Sequence, residues 1–139
     1  MNKARHALFI VLFLVMGCCA AQAQSAAEMQ QLASDLMQLT PAVESAVRYD
    51  YSTGNMTDGV LLHYATRKNP EKLTPFNGYA LYVERENGHA AVLVCTKDEP
   101  RALLEDAGCT MMFMERHHWR DNPGSPCAFT LDLDAICPK

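Results

Sequence analysis

The sequence predicts an α+β domain in which N-terminal helices pack on a small, mainly antiparallel sheet, with one further helix inserted between strands and two disulfides. Three observations carry this expectation. Apolar residues recur at helical spacing from Ser25 to about Tyr51, the pattern becomes strand-like at Tyr79 around an Asn87-Gly88 turn, and four of the six cysteines lie beyond residue 90. A helical half followed by a strand-rich half is the order expected of an α+β rather than a parallel α/β architecture.

Residues 1–23 read as a secretory signal peptide. Lys3 and Arg5 supply the positive start, Ala7 to Met16 is an apolar run, and Ala21-Gln22-Ala23 is a small-x-small cleavage site before Gln24. The run is shorter than the roughly 20 residues a membrane-spanning helix requires. Val15-Met16-Gly17-Cys18 also resembles a lipoprotein signal, with Met16 an unusual occupant of its position. Ala21-Gln22-Ala23 is the cleaner match. Free secretion is therefore the main expectation, and a lipid anchor on Cys18 the alternative. Residues 24–139 form one domain of ordinary size.

Within that domain, Met29, Leu32, Leu36 and Leu39 recur at spacings of three and four, which predicts a helix over 25–39. Thr40-Pro41 suits an N-cap and first helical position, so a second helix is expected to start there and run to about Tyr51. After the turn cluster Ser52-Thr53-Gly54-Asn55, a third helix is expected from Asp58 to Arg67, burying Val60, Leu61 and Tyr64. The proline-punctuated stretch 68–78 is a connector.

Tyr79–Glu86 and His89–Thr96 are strand-like, and Asn87-Gly88 suits the two positive-φ positions of a type I′ turn. A two-residue loop sets Glu86 opposite His89, Val83 opposite Val92 and Leu81 opposite Val94, placing four aliphatics on one core-facing side. Asp98-Glu99-Pro100 looks like a helix start and Gly108 like its stop, predicting a helix through Ala107. Thr110–Arg116 is expected to be a third strand, 117–126 a polar loop, and Ala128–Leu133 a fourth strand with Phe129, Leu131 and Leu133 inward.

Cys95, Cys109, Cys127 and Cys137 remain after processing, an even count that reads as two disulfides in an exported chain of this size. Pairing neighbours in sequence gives Cys95–Cys109 and Cys127–Cys137, each bracketing one supersecondary unit and contributing about 2.5 to 3 kcal/mol by loop closure. A four-cysteine zinc site would need close C-x2-C pairs, which the spacing lacks.

The first 23 residues hold two of the twelve basic side chains and none of the sixteen acidic ones, so residues 24–139 carry a formal charge of −6. Nucleic-acid binding, which needs clustered Lys and Arg, is not expected.

Several clusters could carry chemistry. Met112, Met114, His117 and His118 combine thioethers and imidazoles suited to Cu(I), although methionine also fills ordinary cores and no second methionine-rich segment supports the metal. Asp132 and Asp134 share one side of the expected last strand, without the glycine-turned loop of a calcium site. Ser125 lies near His117, His118 and Asp121, but no nucleophile elbow surrounds it. Arg116, His117, His118, Trp119 and Arg120 put the only tryptophan and two arginines in one segment, the residue types enriched at binding hot spots. The expected function is that of a small exported, disulfide-stabilised binding protein of the bacterial envelope, an inhibitor or immunity factor acting by protein–protein contact on another envelope or secreted protein. A copper-binding protein using the Met/His cluster is one alternative and a small hydrolase another; for the leading binding-protein reading no cofactor is expected.

Overall fold

The computed structural model describes residues 3–109 and 126–137. They form α1 (Lys3–Tyr49), a 3-10 turn at Tyr51–Asn55, α2 (Asp58–Ala65), a 3-10 segment at Pro70–Phe76, strands β1 (Tyr79–Glu86), β2 (His89–Thr96) and β3 (Ala102–Ala107), and the short α3 (Leu133–Ile136). The chain divides into two compact units, residues 1–31 and 32–139. The first is helical over its described length; the second holds the sheet and everything packed on it. No helix among the described residues is long and apolar enough to cross a membrane.

The expected break at Thr40-Pro41 does not occur, and α1 runs through Pro41. Proline removes the N–H that would bond the carbonyl four residues back, at a cost of about 3 kcal/mol in a helix interior. Leu36 and Leu39 before it and Val43 after it are fully buried. Burying each such side chain is worth about 1.5 to 3 kcal/mol, so one continuous apolar stripe outweighs the lost bond. Thr40 does not act as a cap; its hydroxyl is buried and donates to the Leu36 carbonyl at 2.9 Å. In α2 the helix ends at Ala65 and buries Leu61 and Leu62, whereas Val60, expected inside, is 55% exposed.

β1 and β2 form the expected hairpin with the expected register, Glu86 opposite His89, Val83 opposite Val92 and Leu81 opposite Val94. Asn87 and Gly88 take φ values of 52° and 83°, as a type I′ turn requires. Unlike the strands of a one-sided sheet, β2 is buried on both faces from His89 to Cys95. One face, with Leu81, Val83 and Arg85 of β1, looks toward the helical layer: Arg85 Nη1 donates to the carbonyls of Thr53 and Met56 at 3.0 and 3.1 Å. Ala91, Leu93 and Cys95 occupy the other face.

The helix expected from Asp98 to Ala107 is instead a turn and a strand. β3 pairs antiparallel with β2, Ala107 opposite Ala91 and Ala102 opposite Cys95. Local propensity favoured a helix for Ala-Leu-Leu-Glu-Asp-Ala, but the second edge of the doubly buried β2 would otherwise leave backbone groups unpaired out of water. Thr96 N donates to the Arg101 carbonyl at 3.0 Å and Arg101 N to the Thr96 hydroxyl at 3.1 Å, closing the turn that holds Asp98, Glu99 and Pro100. The inserted helix of the expected fold is thus absent, and the sheet has the order β1-β2-β3.

Residues 127–137 lie as a strap across the second face. Phe129, Leu131, Leu133 and Ile136 pack on Ala91, Ala107, Cys109 and Cys137, and Phe129 also reaches Leu93, Cys95 and Ala102. The inward alternation of Phe129, Leu131 and Leu133 is as expected, but the segment is not a strand. Its N–H groups at Thr130 and Leu131 donate to the Glu105 carboxylate rather than to a ladder, and Leu133 opens α3 under an Asp132 cap.

The disulfides are Cys95–Cys127 and Cys109–Cys137, with Cα separations of 5.9 and 5.6 Å. The pairing by sequence neighbours fails because β3 is a strand. It carries the chain from beside Cys95 back past Ala91, so Cys109 emerges at the opposite end of β2, roughly 13 Å or more from Cys95 at about 3.3 Å per residue. Disulfides need Cα atoms within about 7 Å. The two bonds therefore pin the strap at opposite ends of the sheet, and by loop closure each contributes about 3.5 to 4 kcal/mol.

Because Leu93 is buried between β1, β3 and the strap, Leu93→Ala is expected to lower unfolding free energy by about 2 to 5 kcal/mol, and Val60→Ala to stay within about 0.5 kcal/mol, in denaturant titrations of the oxidised protein.

Candidate functional site

The most concentrated polar chemistry among the described residues lies where the α1 stretch from Leu32 to Tyr49 meets the turn end of β2 and the end of β3. Glu44 is one helical turn before Arg48 and only 7% exposed. Its Oε1 lies 3.2 Å from Arg48 Nη2 and 3.0 Å from His89 Nδ1, and its Oε2 accepts from Ala90 N at 3.2 Å. Arg48 Nη2 is also 2.8 Å from His89 Nδ1. One ring nitrogen cannot both accept from Arg48 and donate to Glu44, so the imidazole bonds one or the other according to its tautomer, while Arg48 holds the carboxylate in either case. Gly108 permits this approach. A Cβ there would stand 2.4 Å from Glu44 Cβ, so the helix can lie this close only over a glycine. The stop signal read at Gly108 thus had a different cause: helix-to-strand contact, not a helix end.

The Cys109–Cys137 disulfide adjoins the same corner. Glu44, His89, Cys109 and Cys137 are all buried, and one ligand atom from each lies within 4.8 Å of the others. Arg48 is the partly exposed member, its side chain 35% accessible, and it links the corner to solvent. Chemically, this is a carboxylate and an imidazole facing two sulfurs inside the fold.

A second group of carboxylates lies on the strap side. Glu105 is 2% exposed and binds both the N–H and the hydroxyl of Thr130, fixing the strap to β3. Glu84 stands beside it with a buried Oε2 that has no hydrogen-bond partner. Desolvation, reinforced by the charges of Glu86, Glu105 and Asp132, pushes the Glu84 carboxyl above its ordinary pKa. Asp132 and Asp134 do not form a cation pair: Asp132 accepts from Ala135 N at 3.1 Å as a helix cap, and Asp134 accepts from Asn87 Nδ2 at 2.6 Å.

A cleft of about 350 Å³ opens between the end of α1 and α2, with Ala42, Ala46 and Ala65 on its apolar side and Tyr49, Tyr64 and Arg67 around it. The Tyr64 hydroxyl donates to Asp50, and with the Ser52 hydroxyl and N–H it lowers the Asp50 pKa to about 2. The same bond raises the Tyr64 phenol, and Arg67 stacks over its ring 4.0 Å from the centroid.

Arg116, His117, His118, Trp119 and Arg120, the Met112 and Met114 pair, and the Ser125 and Asp121 grouping all lie outside the described residues. What the structure does place is both ends of their segment. On one side Cys109 is bonded to Cys137; on the other, Pro126 bridges Arg101 and Cys127 bonds Cys95. These ends sit at opposite ends of β3. Sequence reasoning missed Glu44, Arg48 and His89. The four-residue spacing of Glu44 and Arg48 signals an ion pair, but nothing in sequence brings His89, 45 residues away, to the same oxygen. Comparison with protein-family models, with curated proteins and with solved structures returns no match.

Glu84 yields a pH prediction. Its folded pKa is raised, so the penalty for ionising it grows as pH rises from the unfolded value through the folded one, and it is absent at lower pH. Glu84→Gln is expected to melt above the unsubstituted protein at pH 7 and at the same temperature at pH 3; calorimetry at the two pH values measures both.

Proposed function

We propose that residues 24–139 act as an exported binding protein that works by protein–protein contact, with Arg116, His117, His118, Trp119 and Arg120 as its principal contact. The observation that carries this is the anchoring of the segment that holds them. Each flank, Cys109 and Cys127, is disulfide-bonded to a different part of the same scaffold. Fixing both ends of a recognition segment before binding removes part of the ordering entropy that association otherwise costs. Tryptophan and arginine are the residue types that most often dominate such contacts. The two disulfides fit an oxidising compartment, and the positive, apolar and small-residue succession of residues 1–23 supports export, to the periplasm or beyond, with a lipid anchor on Cys18 as the less favoured processing. An inhibitor or immunity factor facing another envelope or secreted protein is the form this reading takes.

The test is affinity capture from envelope extract with the oxidised protein, followed by titration against the recovered partner. Trp119→Ala is expected to weaken binding by at least about 2 kcal/mol, roughly thirtyfold, with an unchanged melting temperature, while Lys72→Ala has little effect. Retained affinity in a Trp119→Ala protein of unchanged stability overturns the assignment of this contact and directs attention to Asp98 and Glu99. A stability loss of about 3 to 5 kcal/mol makes Trp119 a core residue and overturns it equally.

A further inference from the structure

We propose that the Cys109–Cys137 corner is a redox-gated site for a zinc-type divalent cation: closed while the disulfide is intact, and formed by Cys109, Cys137, His89 and Glu44 once a dithiol reduces it. This lies beyond the binding reading above and is independent of it. Four separate elements deliver the four side chains, Glu44 from α1, His89 from the start of β2, Cys109 from beyond β3 and Cys137 from the end of α3. Their ligand atoms already fall within 4.8 Å of one another, and all four residues are buried. In a tetrahedral zinc site with bonds of about 2.0 to 2.3 Å, ligand atoms stand about 3.3 to 3.8 Å apart. Small side-chain rotations therefore complete the geometry without moving the sheet. In the oxidised protein the Glu44 carboxylate and His89 imidazole are held by Arg48, Ala90 N and each other. What points to a ligand is that this pre-positioned carboxylate and imidazole face two sulfurs that become thiolate donors on reduction.

The chemistry balances. A dithiol reductant attacks one sulfur of the Cys109–Cys137 bond, forms a mixed disulfide and then closes to its own cyclic disulfide, giving two electrons and two protons to leave both cysteines as thiols. The cation then displaces both thiol protons and binds two thiolates, the Glu44 carboxylate and a neutral His89 nitrogen. That set carries a net charge of −1. Arg48, 3.2 Å from Glu44, remains beside it as the compensating cation. A disulfide-bearing oxidant reverses the sequence: one thiolate attacks it to give a mixed disulfide, and the second thiolate closes the Cys109–Cys137 bond. The oxidant leaves as a dithiol with the two electrons and two protons from water, and the metal is released. Access for the reductant comes by local opening of α3, which is a single turn of four residues.

The test uses the whole chain from residue 24, reduced with a dithiol that is then removed by gel filtration without oxygen, and Co²⁺ as a spectroscopic probe with Zn²⁺ in competition. The reduced protein is expected to bind one equivalent, with thiolate-to-cobalt charge transfer and tetrahedral ligand-field bands that Zn²⁺ abolishes, and the oxidised protein none. Cys95→Ser with Cys127→Ser, which leaves only the corner cysteines, retains the signal. His89→Ala and Glu44→Gln each weaken Zn²⁺ binding at least tenfold. If reduction unfolds the chain, added Zn²⁺ restores its circular dichroism. The proposal is overturned if the reduced protein gives no thiolate-to-cobalt band and Zn²⁺ restores no structure, if His89→Ala and Glu44→Gln both bind as tightly as the unsubstituted protein, or if the oxidised protein binds equally well.

Discussion

The structure depends on the burial of both faces of β2. A sheet of three short strands covered on one side only would bury too little apolar surface to offset its chain entropy, and a domain of this size has little stability to spare. With helices on one face and the strap of residues 127–137 on the other, every β2 side chain from His89 to Cys95 leaves water. The strap is too short and too irregular to hold that position by packing alone. The two disulfides, one at each end of the sheet, tie it there by shrinking the unfolded ensemble.

Buried charge is handled by the same geometry. Glu44 and Glu105 both sit inside, and each is used as an acceptor for backbone N–H groups that no ladder serves: Ala90 for Glu44, Thr130 and Leu131 for Glu105. Buried carboxylates are tolerated when their oxygens are occupied in this way, and breaking such a set costs more than the set contributes net. Glu84, across β2 from Glu105, lacks that arrangement on its buried oxygen, and desolvation together with the charges of Glu86, Glu105 and Asp132 raises its pKa. Gly108 matters for the opposite reason, since its missing side chain is what lets α1 lower Glu44 onto the end of the sheet.

How far the sequence could be read follows from which forces were local. The β1–β2 hairpin was legible down to its register, because Asn87-Gly88 needs positive φ at both positions and a two-residue loop admits one alignment. The helix over Thr40-Pro41 and the strand at Ala102–Ala107 were not, because in each case local preference lost to a distant requirement: a continuous buried stripe through Val43, and a pairing partner for the edge of β2. The disulfide pairing went with the second error, since it depends on the direction in which residues 102–107 carry the chain. Four cysteines making two bonds was readable by count; which bonds was a matter of topology. Of the candidate sites, the Trp119 segment is a reading from composition alone and lies outside the described residues, whereas the Glu44, Arg48 and His89 corner needed the fold to bring it together.

Native-state amide hydrogen exchange tests the central place of β2 most directly. In the oxidised protein the amides of Ala91, Val92, Leu93 and Val94 are expected to exchange most slowly, only through global unfolding, and to lose protection together when Cys95–Cys127 is removed by paired serine substitutions. Exchange of those four amides as fast as those of the exposed turn at Lys97, Asp98 and Glu99, or protection in β2 that is indifferent to the loss of that disulfide, would contradict a core built on a strand buried from both sides and held by its strap.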